Sequence, residues 1–195
     1  EVRTRCLSAT EPPVSITLAQ GLVKGDKMDY IIQKSVELGV DRIIPFASDH
    51  AVVKLEHERA SNRIKRWNRL ALEACKQCGR NHAPTVDEVS SLADILTGHS
   101  GLPLFFFYEQ RRQESLSDLI DHHRQAVLRE GAVIIIGPEG GFSQPEVRMA
   151  EAEGAMIVGL GPRILRTETA GLVALSVFMW EFGGLGARKG ECQDA

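Results

Sequence analysis

Two apolar runs, each the length of a strand, set the tightest constraint on this chain: Leu102 to Tyr108 and Ala132 to Ile136. Neither alternates with polar residues. A strand with one wet face reads apolar, polar, apolar, so an unbroken run means burial on both faces, the habit of parallel sheets covered by helices. Around these runs lie segments of helical period. Met28, Ile31, Ile32 and Val36 recur at that spacing until Gly39, and Ala60, Ile64, Trp67, Leu70, Ala71 and Ala74 mark a long amphipathic helix from His57 to Cys78. Leu116 to Arg129, Gln144 to Glu153 and Thr169 to Phe182 read as further helices, and Ser15 to Ala19, Arg42 to Phe46 and Met156 to Leu160 as further strands. The stretch after Pro84 has no clear period. Such alternation predicts an α/β fold, a mostly parallel sheet with helices on both faces and ligands at the carboxyl ends of the strands.

With 43% hydrophobic and 25% charged residues, 195 residues suit one domain and a small appendage. No apolar run reaches the length of a membrane span, and the opening residues Glu1 to Cys6 lack the basic-then-apolar order of a secretory signal, so the expected compartment is the cytoplasm. The net charge of −3 excludes a global basic footprint, and any nucleic acid must be met by a local patch. Cys6, Cys75, Cys78 and Cys192 are expected as free thiols. Cys75 and Cys78 have the spacing of half a zinc site, but no second pair accompanies them and no His-Glu-x-x-His occurs, so no metal is expected.

The chemistry concentrates in two loops. Ile136-Gly137-Pro138-Glu139-Gly140-Gly141-Phe142-Ser143 leaves a buried strand and enters a helix; its glycines let a ligand approach the backbone, and Ser143 is placed to cap the helix. It lacks the Lys-Ser/Thr of a phosphate-binding loop. Leu160-Gly161-Pro162-Arg163-Ile164-Leu165-Arg166-Thr167-Glu168-Thr169-Ala170 leaves the last strand for the last helix, and has isoleucine where a dinucleotide fingerprint needs its third glycine. Apolar Ile164 and Leu165 between arginines suit a wall for a flat ring beside charge-binding groups. Plain core anchors, a solvated Arg163 and a capping Thr167 or Thr169 explain the same residues taken singly.

Together these loops closely resemble the RsmE family of ribosomal RNA uridine-N3 methyltransferases, of the SPOUT superfamily, over about Val14 to Leu185. Further matches are Gln33 to Gly39, Pro45, Glu73-Ala74 and Gln77 to Arg80. The resemblance implies a C-terminal trefoil knot, S-adenosylmethionine as methyl donor, 16S ribosomal RNA in the small subunit as partner, and a homodimer. It places the cofactor against Ile136, Gly137, Pro138, Glu139, Gly140 and Gly141, against Leu160, Gly161, Ile164, Leu165, Arg166, Thr169 and Ala170, and against a third edge of Phe107, Tyr108 and Glu109. Transfer to uridine N3 requires loss of its proton. Arg166 suits the stabilisation of charge on the uracil oxygens, and Glu168 or Glu139 the acceptance of the proton. The apolar residues on all sides of the last helix fit a dimer face or a buried knot helix equally.

A local basic excess runs from Lys54 to Arg80, with eight basic residues against three acidic. Arg59, Arg63, Arg66, Arg69, Lys76 and Arg80 fall near one stripe of a helix, which fits either an RNA phosphate backbone or a solvated face; Lys24 and Lys27 extend it. The resemblance implies that residues 1–13 are the remnant of an N-terminal PUA-like β-barrel and its linker and 14–185 the methyltransferase domain, with 186–195 expected as a disordered tail. On that reading the chain binds cofactor but methylates RNA poorly. A nucleotide-dependent oxidoreductase and a non-catalytic RNA-binding module are the alternatives. The first lacks its fingerprint, and the second leaves both loops unexplained.

Overall fold

The computed structural model describes residues 10–51, 57–110 and 115–186, the side chains of 57–59 excepted. The expected barrel remnant and tail therefore lie mainly outside the described residues, as do Cys6, Lys54, Cys192 and the side chain of Arg59. In chain order the elements are β1 (Ile16–Gly21), α1 (Lys27–Glu37), β2 (Arg42–Ala47), α2 (His57–Cys78), β3 (Thr85–Val86), β4 (Ser90–Ser91), α3 (Leu92–Gly98), β5 (Leu104–Phe107), α4 (Leu116–Glu130), β6 (Ala132–Ile136), α5 (Gln144–Ala152), β7 (Met156–Val158) and α6 (Thr167–Glu181).

The strands form one sheet in the order β3-β2-β1-β6-β5-β7, with β4 pairing to β2, and every pairing is parallel. All residues of β5 and β6 are buried, as their unbroken apolar runs require. Alternate residues feed two cores. Ile16, Leu18, Ile134, Ile136, Phe105 and Phe107 pack with α1, α2, α4 and α6 on one face. On the other face Ala19, Val133, Ile135, Leu104 and Phe106 pack with α3 and α5. Phe105 meets Phe178 of α6 edge to face at 4.7 Å between ring centres; burying a side chain of that size contributes about 2–3 kcal/mol.

Two expectations change in detail. The stretch after Pro84 holds β3, β4 and the short helix α3, which Ser91 caps by accepting from the Asp94 N–H. Helix α6 begins at Thr167, two residues earlier than its apolar period indicates, because residues 167–169 form its polar first turn. Among the described residues no helix is long and apolar enough to cross a membrane.

Candidate active site

The carboxyl ends of β5, β6 and β7 and the first turn of α6 surround a cleft of about 430 Å³, the size of a small-ligand site. After Ile136 the chain turns back on itself. The Gly141 N–H donates to the Pro138 carbonyl at 3.0 Å, and Gly141 sits at φ +68°, where a side chain would be strained. Crowding explains two more glycines: a Cβ on Gly140 would lie 2.8 Å from the Cβ of His50, and one on Gly21 of β1 would lie 2.6 Å from the Pro138 nitrogen.

The loop is braced from outside by residues that follow β2. Ser143 and Glu146 form a reciprocal capping box at the start of α5: the Ser143 hydroxyl accepts from the Glu146 N–H, and the Glu146 carboxylate accepts from the Ser143 N–H at 2.8 Å. The other Glu146 oxygen accepts from the Asp49 N–H at 3.1 Å, and the Ser143 hydroxyl donates to the Asp49 carboxylate at 2.6 Å. His50 Nδ1 lies 3.1 Å from the Gly140 carbonyl, which can only accept, so that nitrogen carries the proton.

Charge inside the cleft is unevenly satisfied. Glu139 accepts from the Lys24 N–H at 3.2 Å and lies 3.3 Å from the Lys27 ammonium, which also stands 3.4 Å from Glu168. Burial alone would raise the Glu139 pKa, but its own backbone N–H, that of Lys24 and the Lys27 ammonium outweigh it and hold the carboxyl below its usual range. A carboxylate so held is a weaker base than a free one, and its contacts with Lys24 and Lys27 suit an anchor for the loop. Glu168 Oε2 is buried and has no hydrogen-bond partner among the described residues, and the Lys27 ammonium is the charge beside it. Glu109 lines the opposite rim with no ion pair among the described residues.

Arg166 caps α6 with its backbone, its carbonyl accepting from Thr169 at 2.9 Å and Ala170 at 2.8 Å. Its guanidinium is exposed and unpaired among the described residues, as is that of Arg163. Ile164 is 80% exposed, an apolar surface suited to a flat ligand or a second chain. Tyr108 accepts from the Gln144 amide at 2.9 Å; burial and the Glu109 charge nonetheless push its phenol pKa up.

Every residue expected at the cofactor lines this cleft except Thr169. Because α6 starts at Thr167, position 169 turns to the opposite side of the helix and is exposed. Lys27, Phe142, Arg163 and Thr167 line the cleft too, although the basic patch had claimed Lys27. Nothing local in the sequence marks Asp49 or His50, or assigns Lys27 to the cleft, because their partners there lie about a hundred residues away in the chain.

The basic residues of the stripe do not share one free face. Arg80 is a correction: α2 ends at Cys78, Gly79 at φ +78° redirects the chain, and the Arg80 guanidinium is buried against the Val36 and Val40 carbonyls and the Glu11 carboxylate. It is unavailable to a phosphate. Arg66 pairs with Asp29, which also accepts from the Trp67 indole at 3.0 Å, and Arg69 pairs with Glu73. Lys24 and Lys76 are exposed and Arg63 half-buried, each without an ion pair among the described residues.

A family model described as an RNA methyltransferase domain matches residues 10–179. Ribosomal RNA small subunit methyltransferase E of Bacillus subtilis is 37% identical over 173 residues, which are 88% of this chain and 68% of that protein. The chain belongs to the RsmE family. Among solved structures, an RsmE protein from Neisseria gonorrhoeae bound to S-adenosylmethionine matches with a TM-score of 0.79 and 35% identity, over 92% of this chain and 71% of the other. A methyltransferase from Legionella pneumophila in complex with the same cofactor matches with a TM-score of 0.73 and 34% identity, over 88% and 68% of the two chains.

Proposed function

We propose that this RsmE-family chain transfers the methyl group of S-adenosylmethionine to N3 of a uridine in 16S ribosomal RNA, acting as a homodimer in the cytoplasm on the small ribosomal subunit. The observation that carries the reading is the cleft itself, formed where the two glycine-rich loops meet. Its residues suit the methyl donor. The backbone of residues 137–141 with Leu160, Ile164 and Leu165 offers an apolar slot for adenine, while unpaired Glu109 faces a ligand that carries both an amine and ribose hydroxyls. S-adenosylmethionine supplies an electrophilic methyl carbon.

The chain's own residues must then prepare the nucleophile. Uridine N3 is protonated at neutral pH, so a base has to take that proton and a cation has to stabilise the anion. Glu168 is the acceptor in this reading, held in place by Lys27, and the free guanidinium of Arg166 stabilises charge on the uracil oxygens. Lys24, Arg63 and Lys76 supply phosphate contacts. The threading implied by the family resemblance, a trefoil knot, fits the way both loops converge on one cleft. Exposed Val173 and Trp180 on α6, with Ile164 beside the cleft, offer the apolar surface that a second copy would cover.

Calorimetric titration with S-adenosylmethionine should give saturable heat at one site per chain, and 16S ribosomal RNA from cells lacking the protein should lose one N3-methyluridine by mass spectrometry. Heat-silent mixing, or an unchanged modification profile, overturns the proposal. Light scattering should report twice the chain mass; a monomer removes the dimer from it.

A further inference from the structure

Beneath the cleft floor lies a polar side chain that the proposed chemistry does not use. Gln20, near the end of β1, is 0% exposed and does not line the cleft. Its amide nitrogen donates to the Thr167 hydroxyl at 2.9 Å and lies 3.2 Å from the Gly21 carbonyl, while Thr167 donates to the Gly137 carbonyl at 2.6 Å.

The direction of this chain of bonds is forced. A carbonyl only accepts, so Gly21 fixes the nitrogen end of the Gln20 amide on its side, and Gly137 fixes the Thr167 proton on the other. Thr167 must therefore accept from Gln20 and donate to Gly137. The amide oxygen left over has no hydrogen-bond partner among the described residues, and a Cβ on Gly171 of α6 would stand 3.1 Å from it. Burying an amide with one end unsatisfied costs stability that a leucine at the same place would not. The arrangement makes sense as geometry: three segments far apart in sequence, the end of β1, the first glycine of the β6 loop and the first turn of α6, are held at fixed separation by two short bonds.

We propose that Gln20 and Thr167 are positioning residues that set the spacing between the two cofactor loops, with Gly171 kept small to admit the Gln20 amide. Through Gly137 they place the backbone that meets the methyl donor, and through Thr167 they place Arg166 and Glu168 on either side of it. This rests on the methyl-donor reading of the cleft.

The test compares Thr167→Val, Thr167→Ser and Gln20→Leu with the unsubstituted chain, titrating S-adenosylmethionine at 25 °C and confirming folding by circular dichroism. Valine keeps the shape of threonine and removes the hydroxyl; serine restores it. Thr167→Val should weaken cofactor binding about tenfold or more, and Thr167→Ser should stay within about twofold. Gln20→Leu should weaken it as Thr167→Val does, although Gln20 lines no part of the cleft. Equal affinity in folded Thr167→Val overturns the proposal, and so does a loss that serine does not rescue. Should Gln20→Leu fail to fold, the valine and serine pair decides alone. If the unsubstituted chain itself binds no S-adenosylmethionine, the methyl-donor reading fails, and loop spacing is then read by amide hydrogen exchange at residues 137–141 and 166–170. Faster exchange in Thr167→Val but not in Thr167→Ser sustains the positioning role; unchanged exchange in both ends it.

Discussion

Arg166 and Glu168 flank Thr167 yet meet the cleft in different electrical states. The guanidinium is unpaired among the described residues, whereas the carboxylate lies 3.4 Å from the Lys27 ammonium. A free cation beside a site where an anion forms acts mainly in the transition state. Arg166→Ala should therefore lower kcat about a hundredfold, the scale of removing one such stabilising group, while cofactor Kd moves by less than about threefold; a steady-state assay with calorimetry separates the two, and unchanged turnover clears Arg166. Glu139 should behave in the opposite way. Burial opposes its ionisation, but two backbone N–H donors and the Lys27 ammonium win and hold its pKa below the usual 4.5. A depressed carboxylate stays charged from pH 5 upward, so no inflection of turnover above that pH belongs to it. Glu139→Gln should weaken cofactor binding through the loosened loop and leave the shape of the pH–rate profile unchanged; loss of a limb between pH 5 and 9 would contradict this. That Arg166 and Glu168 line the cleft was legible because they sit in a dense motif. Gln20 was not, since the bond that explains it spans 147 residues of sequence.

Among the elements, α5 shows how a local signal acquires a long-range use. Ser143 followed by Glu146 is legible as a helix start, and the structure has the reciprocal cap. The sequence does not show that the same two side chains also hold Asp49, so that the cap joins the β2 loop to the cleft loop. Ser143→Ala should cost about 1–2 kcal/mol in urea unfolding with the slope unchanged, the scale of a lost N-cap. It should also weaken cofactor binding, because Asp49 loses one of its two contacts with the cap; a stability loss with full affinity would reduce Ser143 to a plain cap. The long helices and the buried strands β5 and β6 were readable from period and run length. β3 and β4 were not, being two residues each and fixed by pairing with β2 rather than by pattern. Arg80 was misread for a related reason: it continues the basic spacing of α2 in sequence, but the helix has already ended.

Across the whole molecule, the carboxyl ends of the strands carry the cleft, while the opposite end of the sheet is fastened by an ion pair unrelated to it. Glu11 accepts from Arg80 Nε at 3.1 Å and Nη2 at 3.0 Å, and from the backbone N–H groups of Asn81 at 2.7 Å and His82 at 3.1 Å. The Arg80 side chain is only 4% exposed, against 25% for Glu11. Burial of Glu11 acts to raise its pKa, but the two backbone bonds and the guanidinium outweigh it, and the net direction is downward from 4.5. Since the folded carboxyl is the stronger acid, its stabilising effect is complete above the unfolded pKa and is lost as pH falls through the lower, folded one. Glu11→Ala leaves a buried guanidinium short of its counter-charge and should cost about 2–3 kcal/mol near pH 7, on the low side for a buried pair because one partner is partly wet. Urea unfolding repeated at descending pH should show a constant gap to the unsubstituted chain down to about pH 5 and a narrowing gap below it. A gap that persists to pH 2 would mean that Glu11 stabilises by packing rather than by charge. Cofactor affinity should be unaffected throughout, because Glu11 and Arg80 line a separate small cavity and not the cleft.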